Sequence, residues 1–161
     1  LGPVSNPSNA TAAVIGVFSP TLTEPLAHSM KAMGVKRGMI VCGCDGMDEI
    51  TLTGITHISE IKDNNVTSYD INPADYGLKI TDAEQLKGGN GKENAEAITR
   101  GILEGTIKGA KRDIVLLNAG AAIYCAGIAD TLAEGIEKAK ESIDSGKALE
   151  VLNKLVEFTN R

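Results

Sequence analysis

Two uninterrupted apolar runs constrain this chain more than any other feature: residues 12–18 (AAVIGVF) and 38–43 (GMIVCG). A strand with one wet face alternates apolar and polar side chains, whereas a strand covered on both faces reads as a continuous apolar stretch. Each run is therefore expected to be a strand buried on both sides. Between them, Ser19-Pro20 stops the first strand, and Thr21 and Glu24 have the T-x-x-E spacing of a capping box. Leu22, Leu26, Met30 and Met33 then fall on one helical face, and Gly34 ends the helix. Strand, helix and strand with short connections form the unit of a parallel sheet with a right-handed crossover.

The next stretch has a different texture. Residues 49–53 and 57–62 alternate rather than run, Asp63-Asn64-Asn65 is a turn signal, and residues 66–71 follow. This predicts an antiparallel excursion between Glu49 and Ile71. Helices are expected again after Asn72, where Thr81 and Glu84 repeat the capping-box spacing. Gly88-Gly89-Asn90-Gly91 then leads into a helix over 92–105, with Asn90 as its cap and Ile98 and Ile102 on one face. Residues 113–117 (DIVLL) predict a third buried strand, with Asn118-Ala119-Gly120 in the loop beyond it and a helix of small residues after that. Thr131 and Glu134 cap a helix with Leu132, Ile136, Ala139 and Ile143 as its buried stripe, and Ser145-Gly146 separates it from a last helix through Arg161. The expected class is α/β: a mainly parallel sheet flanked by helices, with an antiparallel excursion. The opening residues 1–11 read as irregular, no repeat or low-complexity tract interrupts the rest, and residues 1–161 read as one folding unit.

Composition narrows the function classes. Aromatic residues make up 3% and Trp is absent, so Ile, Val, Leu and Ala must build the core. Sixteen basic against 21 acidic residues leave a net charge of −5, which argues against a nucleic-acid surface. No apolar run reaches the roughly 18 residues that span a bilayer, so no membrane partner is expected. Three cysteines with a single C-x-C spacing do not make a disulfide framework and fit a reducing, cytoplasmic setting. Zinc patterns want C-x-x-C pairs with further ligands at set distances, so Cys42 and Cys44 read as small apolar residues. The chain starts at Leu1 rather than Met and has no signal segment, which implies a processed start or a piece of something longer.

In open α/β sheets, ligands sit outside the carboxyl ends of the parallel strands. Three segments are expected there: residues 19–21, the loop after Val41, and residues 118–120. The middle one (CGCDGMDE, residues 42–49) holds Asp45, Asp48 and Glu49 within five residues. A hard cation such as magnesium takes oxygen ligands, commonly one or two carboxylates with substrate phosphates and water. At a bend, Asp48 and Glu49 can both turn towards one ion. The competing reading is a solvated turn, in which Asp and Gly are favoured anyway. The glycines before Lys92 do not make a phosphate loop, because Glu93 stands where Ser or Thr is required, and Glu93 and Glu96 would repel an anion. His28 fits a partly exposed helix position, and His57 has no Ser or Cys partner at a readable spacing. Asn118 either orients a ligand or bonds its own loop. No nucleophile or general base emerges.

Asp45-Gly46-Met47-Asp48-Glu49-Ile50, followed by Leu52-Thr53-Gly54, resembles the magnesium loop of the anthranilate phosphoribosyltransferase family. The likeness runs along the chain in family order: Leu1-Gly2-Pro3 with Asn6-Pro7, Gly16-Val17 before Ser19, and Asp75-Tyr76-Gly77-Leu78. Gly88-Gly89 with Glu93-Asn94-Ala95, and Leu117-Asn118-Ala119-Gly120, continue it. The resemblance implies the large domain of a nucleoside phosphorylase/phosphoribosyltransferase-like fold. It also implies transfer of phosphoribosyl from phosphoribosyl diphosphate to the amine of anthranilate, a step of tryptophan biosynthesis. Magnesium would be the cofactor, Asp48 and Glu49 the metal pair, and Asp45 a turn or supporting residue. One departure is Cys42-Gly43-Cys44, where the family often has His.

The family's G-T-G-G-D cradle for the diphosphate does not occur in these residues. The same holds for the Ser/Thr and Lys-rich loop after it, the Arg that meets the anthranilate carboxylate, and the small helical domain that commonly forms the homodimer interface. The resemblance places all of them upstream of Leu1. The expectation is therefore the C-terminal part of a catalytic α/β domain, inactive alone. A pyrimidine nucleoside phosphorylase-like enzyme is the first alternative, and the D-G-x-D-E loop speaks against it. A non-catalytic relative serving as a binding module is the second, disfavoured by the acidic balance.

Overall fold

The computed structural model describes residues 9–89 and 91–160. Leu1-Gly2-Pro3, Asn6-Pro7, Asn90 and the Glu93 side chain lie outside what is described.

Four strands form one sheet in chain order: β1 (Ala12–Gly16), β2 (Arg37–Gly43), β3 (Thr56–Lys62) and β4 (Asn65–Ile71). β1 and β2 pair in parallel around helix α1 (Thr23–Ala32), as the two apolar runs predict. β2–β3 and β3–β4 are antiparallel, so the expected excursion is present. Asp63 and Asn64 join β3 to β4, both at positive φ (49° and 61°), as a two-residue hairpin turn matched to the twist of its strands requires. Four further helices follow: α2 (Lys92–Leu103), α3 (Ala110–Cys125), α4 (Leu132–Asp144) and α5 (Lys147–Thr159).

The sheet separates two apolar clusters, because successive strand residues point to opposite faces. Met39, Val41 and Ile58 face α3 and, with Leu116, Leu117, Ala121 and Ile136, build the larger core. Ile40 and Ile61 face α1 and meet Ala27, Met30 and Val35. Both clusters are aliphatic, as the shortage of aromatics predicts.

Several expectations are corrected. Residues 113–117 are not a strand; they belong to helix α3, and the sheet is mixed rather than mainly parallel. A short apolar run looks the same in a buried strand and a buried helix. The buried set Leu116, Leu117, Gly120, Ala121, Tyr124 and Cys125 repeats at helical spacing, and α3 packs that stripe between the sheet and α4. β1 pairs only with β2 among the described residues and is half-buried along its length, and Phe18 beyond it is exposed.

The first two capping boxes are not formed. A single 3-10 turn (Pro20–Leu22) precedes α1, so the helix starts at Thr23 and the Thr21 hydroxyl bonds Ser19 instead. The buried face of α1 shifts accordingly to Thr23, Ala27 and Met30, leaving Leu22 and Met33 partly exposed. Thr81 precedes only another 3-10 turn (Ala83–Leu86), and its amide donates to Leu52 O. The third is half formed: Thr131 Oγ1 accepts from the Glu134 amide at the start of α4, but the Glu134 carboxylate takes the Asp130 amide rather than that of Thr131.

Residues 49–53 are not a strand either. Their backbone groups find partners elsewhere, and those partners shape the candidate site.

Candidate functional site

β2 delivers the chain to the carboxyl end of the parallel pair, where residues 44–55 form an irregular loop before β3. Gly43 and Gly46 open it with a tight turn: the Gly46 amide donates to Gly43 O, the Gly43 amide to Met47 O, and Gly46 takes φ +81°. A Cβ on Gly43 would lie 2.5 Å from Asp45 Oδ1.

The three acids of the loop divide into two kinds. Asp45 is an internal brace. Its Oδ2 accepts from the Thr51 hydroxyl at 2.8 Å and the Thr53 hydroxyl at 2.7 Å, and its Oδ1 accepts from the Met47 amide at 3.0 Å. Partial burial alone would raise this carboxyl, but the bonds from Thr53, Met47 and Thr51 outweigh it and hold it below its ordinary value. Asp48 and Glu49 are exposed, and neither carboxylate has a hydrogen bond or ion pair among the described residues.

Two contacts set the path of the backbone through this pair. A Cβ on Gly16, the last residue of β1, would sit 1.5 Å from Asp48 O, so the loop rests directly on that glycine. Immediately after Glu49, Asn118 of α3 grips the Ile50 backbone in both directions. Its Oδ1 accepts from the Ile50 amide at 3.0 Å, and its Nδ2 donates to Ile50 O at 2.9 Å. The Thr51 amide then donates to Thr56 Oγ1 at 3.0 Å. Side chains thus supply the partners that a neighbouring strand would otherwise offer.

The sequence pattern puts Asn118 in a loop beyond a strand; it stands instead inside a helix, and its partner is the acid loop rather than its own backbone alone. Gly16 and Thr53 stand in segments that carry the family resemblance, but no sequence signal points to their contacts with the loop, although Thr51 and Thr53 have the two-residue spacing that lets both face one acid.

Beside the turn lies an open cleft of about 350 Å³, lined by Phe18, Pro20, Cys44, Ile55, His57 and Asp70. His57 Nδ1 meets Asp70 Oδ1 at 2.6 Å across the β3–β4 pair. Cys42, beside His57 in the register, is buried, and burial pushes its thiol up, as expected of a packing cysteine rather than a nucleophile. His28 is exposed on α1, 3.8 Å from Glu24. Gly91 caps α2 without a side-chain bond.

Among the described residues, no group of three or more His, Cys, Asp and Glu could hold a metal ion as an all-protein cage. Asp48 and Glu49 fit a different kind of site. They supply two hard oxygen donors, exposed and without a partner among the described residues, on a loop whose backbone is held on both sides. That donor set suits an ion which completes its shell with substrate phosphate and water. No helix among the described residues is long and apolar enough to cross a membrane.

Comparison with known proteins adds a family. A profile described as "Glycosyl transferase family, a/b domain" matches residues 1–149. The anthranilate phosphoribosyltransferase of Acetivibrio thermocellus is 50% identical over 160 residues, which cover 99% of this chain and 46% of that protein. That of Haloarcula marismortui is 46% identical over 156 residues, covering 97% and 46%. The crystal structure of anthranilate phosphoribosyltransferase from Thermus thermophilus superposes with a TM-score of 0.89 at 40% identity, over 99% of this chain and 46% of that one. The Saccharomyces cerevisiae enzyme in complex with PRPP and Mg gives a TM-score of 0.82 at 28% identity, over 95% and 44%. The chain therefore spans just under half the length of these relatives.

Proposed function

The chain belongs to the glycosyl transferase family, as its α/β domain, and from that membership we propose that it is the C-terminal part of the catalytic domain of an anthranilate phosphoribosyltransferase. The reaction would move phosphoribosyl from phosphoribosyl diphosphate to the amine of anthranilate, with the acid loop as this chain's contribution. The observation that carries the reading is the contrast within that loop. Asp45 is consumed by three internal hydrogen bonds, while Asp48 and Glu49 have no partner among the described residues and stand on a backbone held by Gly16 and Asn118.

In such a transfer, negative charge gathers on the departing diphosphate while the anomeric carbon becomes cation-like. A magnesium ion bound at Asp48 and Glu49 would stabilise that departing charge. The two carboxylates hold and orient it, and Asp45, bonded to Thr51, Thr53 and Met47, keeps the turn in shape without offering itself as a ligand. Preorganisation matters because a carboxylate already in position has no reorganisation left to perform at the moment of reaction. The amine of anthranilate needs positioning more than activation, which agrees with a loop that holds no general base. The three free thiols, Cys42, Cys44 and Cys125, fit a reducing, cytoplasmic compartment.

In the complete enzyme, Asp48→Ala or Glu49→Ala is expected to cost on the order of 2–4 kcal/mol of transition-state stabilisation, the range for losing one preorganised electrostatic group. Steady-state rates over a magnesium titration measure it, and unchanged magnesium-dependent rates in both variants refute the assignment. The 161 residues alone hold no G-T-G-G-D segment and are expected to form no phosphoribosyl anthranilate from the same substrates.

A further inference from the structure

We infer that Asn118 is a positioning residue for the metal pair, its side-chain clamp on Ile50 setting the affinity of Asp48 and Glu49 for their ion; this rests on the proposed reading of those two acids. The chemistry of the side chain comes first. A carboxamide carries the same donor and acceptor as a peptide group, so it can pair with a backbone as a strand neighbour would. Asn118 uses that capacity fully. Oδ1 takes the Ile50 amide, one Nδ2 hydrogen goes to Ile50 O at 2.9 Å, and the other to Ile114 O at 3.0 Å, one turn back on α3. The last bond locks the side chain to its own helix, so the clamp on Ile50 is as rigid as α3 itself.

The Ile50 amide belongs to the peptide plane that joins it to Glu49, and Ile50 O belongs to the next plane. Both planes following Glu49 are thereby held by one side chain, and the Ile50 side chain is fully buried beneath them. On the other side, Asp48 O rests on Gly16. The Glu49 backbone is left little freedom, and the geometry of the metal pair depends on a residue that touches neither the ion nor the substrate. Groups that orient metal ligands in this indirect way typically carry about 10–100-fold in affinity or activity.

The test uses the complete polypeptide that carries this chain, with three kinds of variant. Asn118→Ala removes the clamp. Asn118→Asp keeps the size and the acceptor for the Ile50 amide but cannot donate to Ile50 O, against which it sets a carboxylate oxygen. Ala122→Gly weakens the same helix at an exposed position without reaching the loop. Half-saturating Mg²⁺ is measured with phosphoribosyl diphosphate present, and exchange of the Ile50 amide is followed by NMR without metal. Both Asn118 variants are expected to raise half-saturating Mg²⁺ by about 10–100-fold and to speed Ile50 exchange. The rate at saturating metal should fall less than the affinity does, and Ala122→Gly should leave both readouts unmoved. Wild-type values in the Asn118 variants, or the same shifts in Ala122→Gly, overturn the inference. An Asp48→Asn arm separates the two levels: unchanged half-saturating Mg²⁺ there overturns the metal reading itself, whatever Asn118 does to the Ile50 amide.

Discussion

At the scale of the residue, acids of similar chemistry meet different fates within one turn. Asp45 accepts three hydrogen bonds and is held below its ordinary value of 3.8. Asp48 and Glu49 accept none among the described residues. The sign of the pH effect follows from Asp45: a carboxyl lowered on folding binds fewer protons in the folded state than in the unfolded one. Its contribution is fully present above pH 3.8 and is lost as pH falls through the lowered value. Asp45→Asn replaces one of the two acceptor oxygens by an amino group, so either the Met47 amide or the pair of threonine hydroxyls loses its acceptor, and it is expected to lower stability at neutral pH by about 1 kcal/mol. It should also flatten the acid decline, which denaturant unfolding at a series of pH values measures; an unchanged acid limb contradicts the brace. The acid triplet was legible in the sequence because spacing alone brings Asp45, Asp48 and Glu49 onto one turn. Which acid braces and which remain available was not, because that depends on Thr51 and Thr53 folding back across the loop.

At the scale of the element, α3 is the instructive case. Its first apolar stretch, residues 113–117, reads as a strand when taken alone, and Gly120 in its middle weakens any helical expectation. The reason for Gly120 lies in α4. A Cβ on Gly120 would meet Ile136 N and Cγ1 at 2.7 Å, and one on Gly135 would meet Gly120 O at 2.3 Å. The two helices cross at backbone contact, and small residues are what allow it. Replacing an exposed helical glycine by alanine normally stabilises by about 1 kcal/mol. Here Gly120→Ala and Gly135→Ala are each expected to destabilise, by about 1–3 kcal/mol, because backbone atoms cannot move aside as a flexible side chain can. Urea unfolding gives the sign directly, and stabilisation in either variant refutes the close crossing. The hairpin of β3 and β4, by contrast, was legible to within one residue: Asn65, read with the turn, begins β4, and Asp63-Asn64 tolerates the positive φ that the turn demands.

At the scale of the whole molecule, the described sheet ends on β1, a half-buried apolar strand with one pairing partner, and the chain spans less than half the length of its relatives. Phe18 beyond β1, and Val151, Leu155 and Phe158 along α5, are also exposed. Unpaired strand edges and contiguous apolar surface favour association. The 161-residue chain alone is expected to self-associate as its concentration rises, which sedimentation velocity detects; a single monomeric species throughout the micromolar range contradicts this. Neighbours along the chain are enough to decide the strand-helix-strand opening, the hairpin around Asp63-Asn64, the capped α4 and the acid-rich turn. That residues 113–117 form helix rather than strand, and that Asn118 reaches Ile50, 68 positions away, to hold the acid loop, depends on how distant elements pack. The physical reason is one of range. Dihedral preferences and periodicity act over a few residues and leave their mark in the local sequence. Where a buried backbone group finds its hydrogen-bond partner is decided by which distant element packs against it.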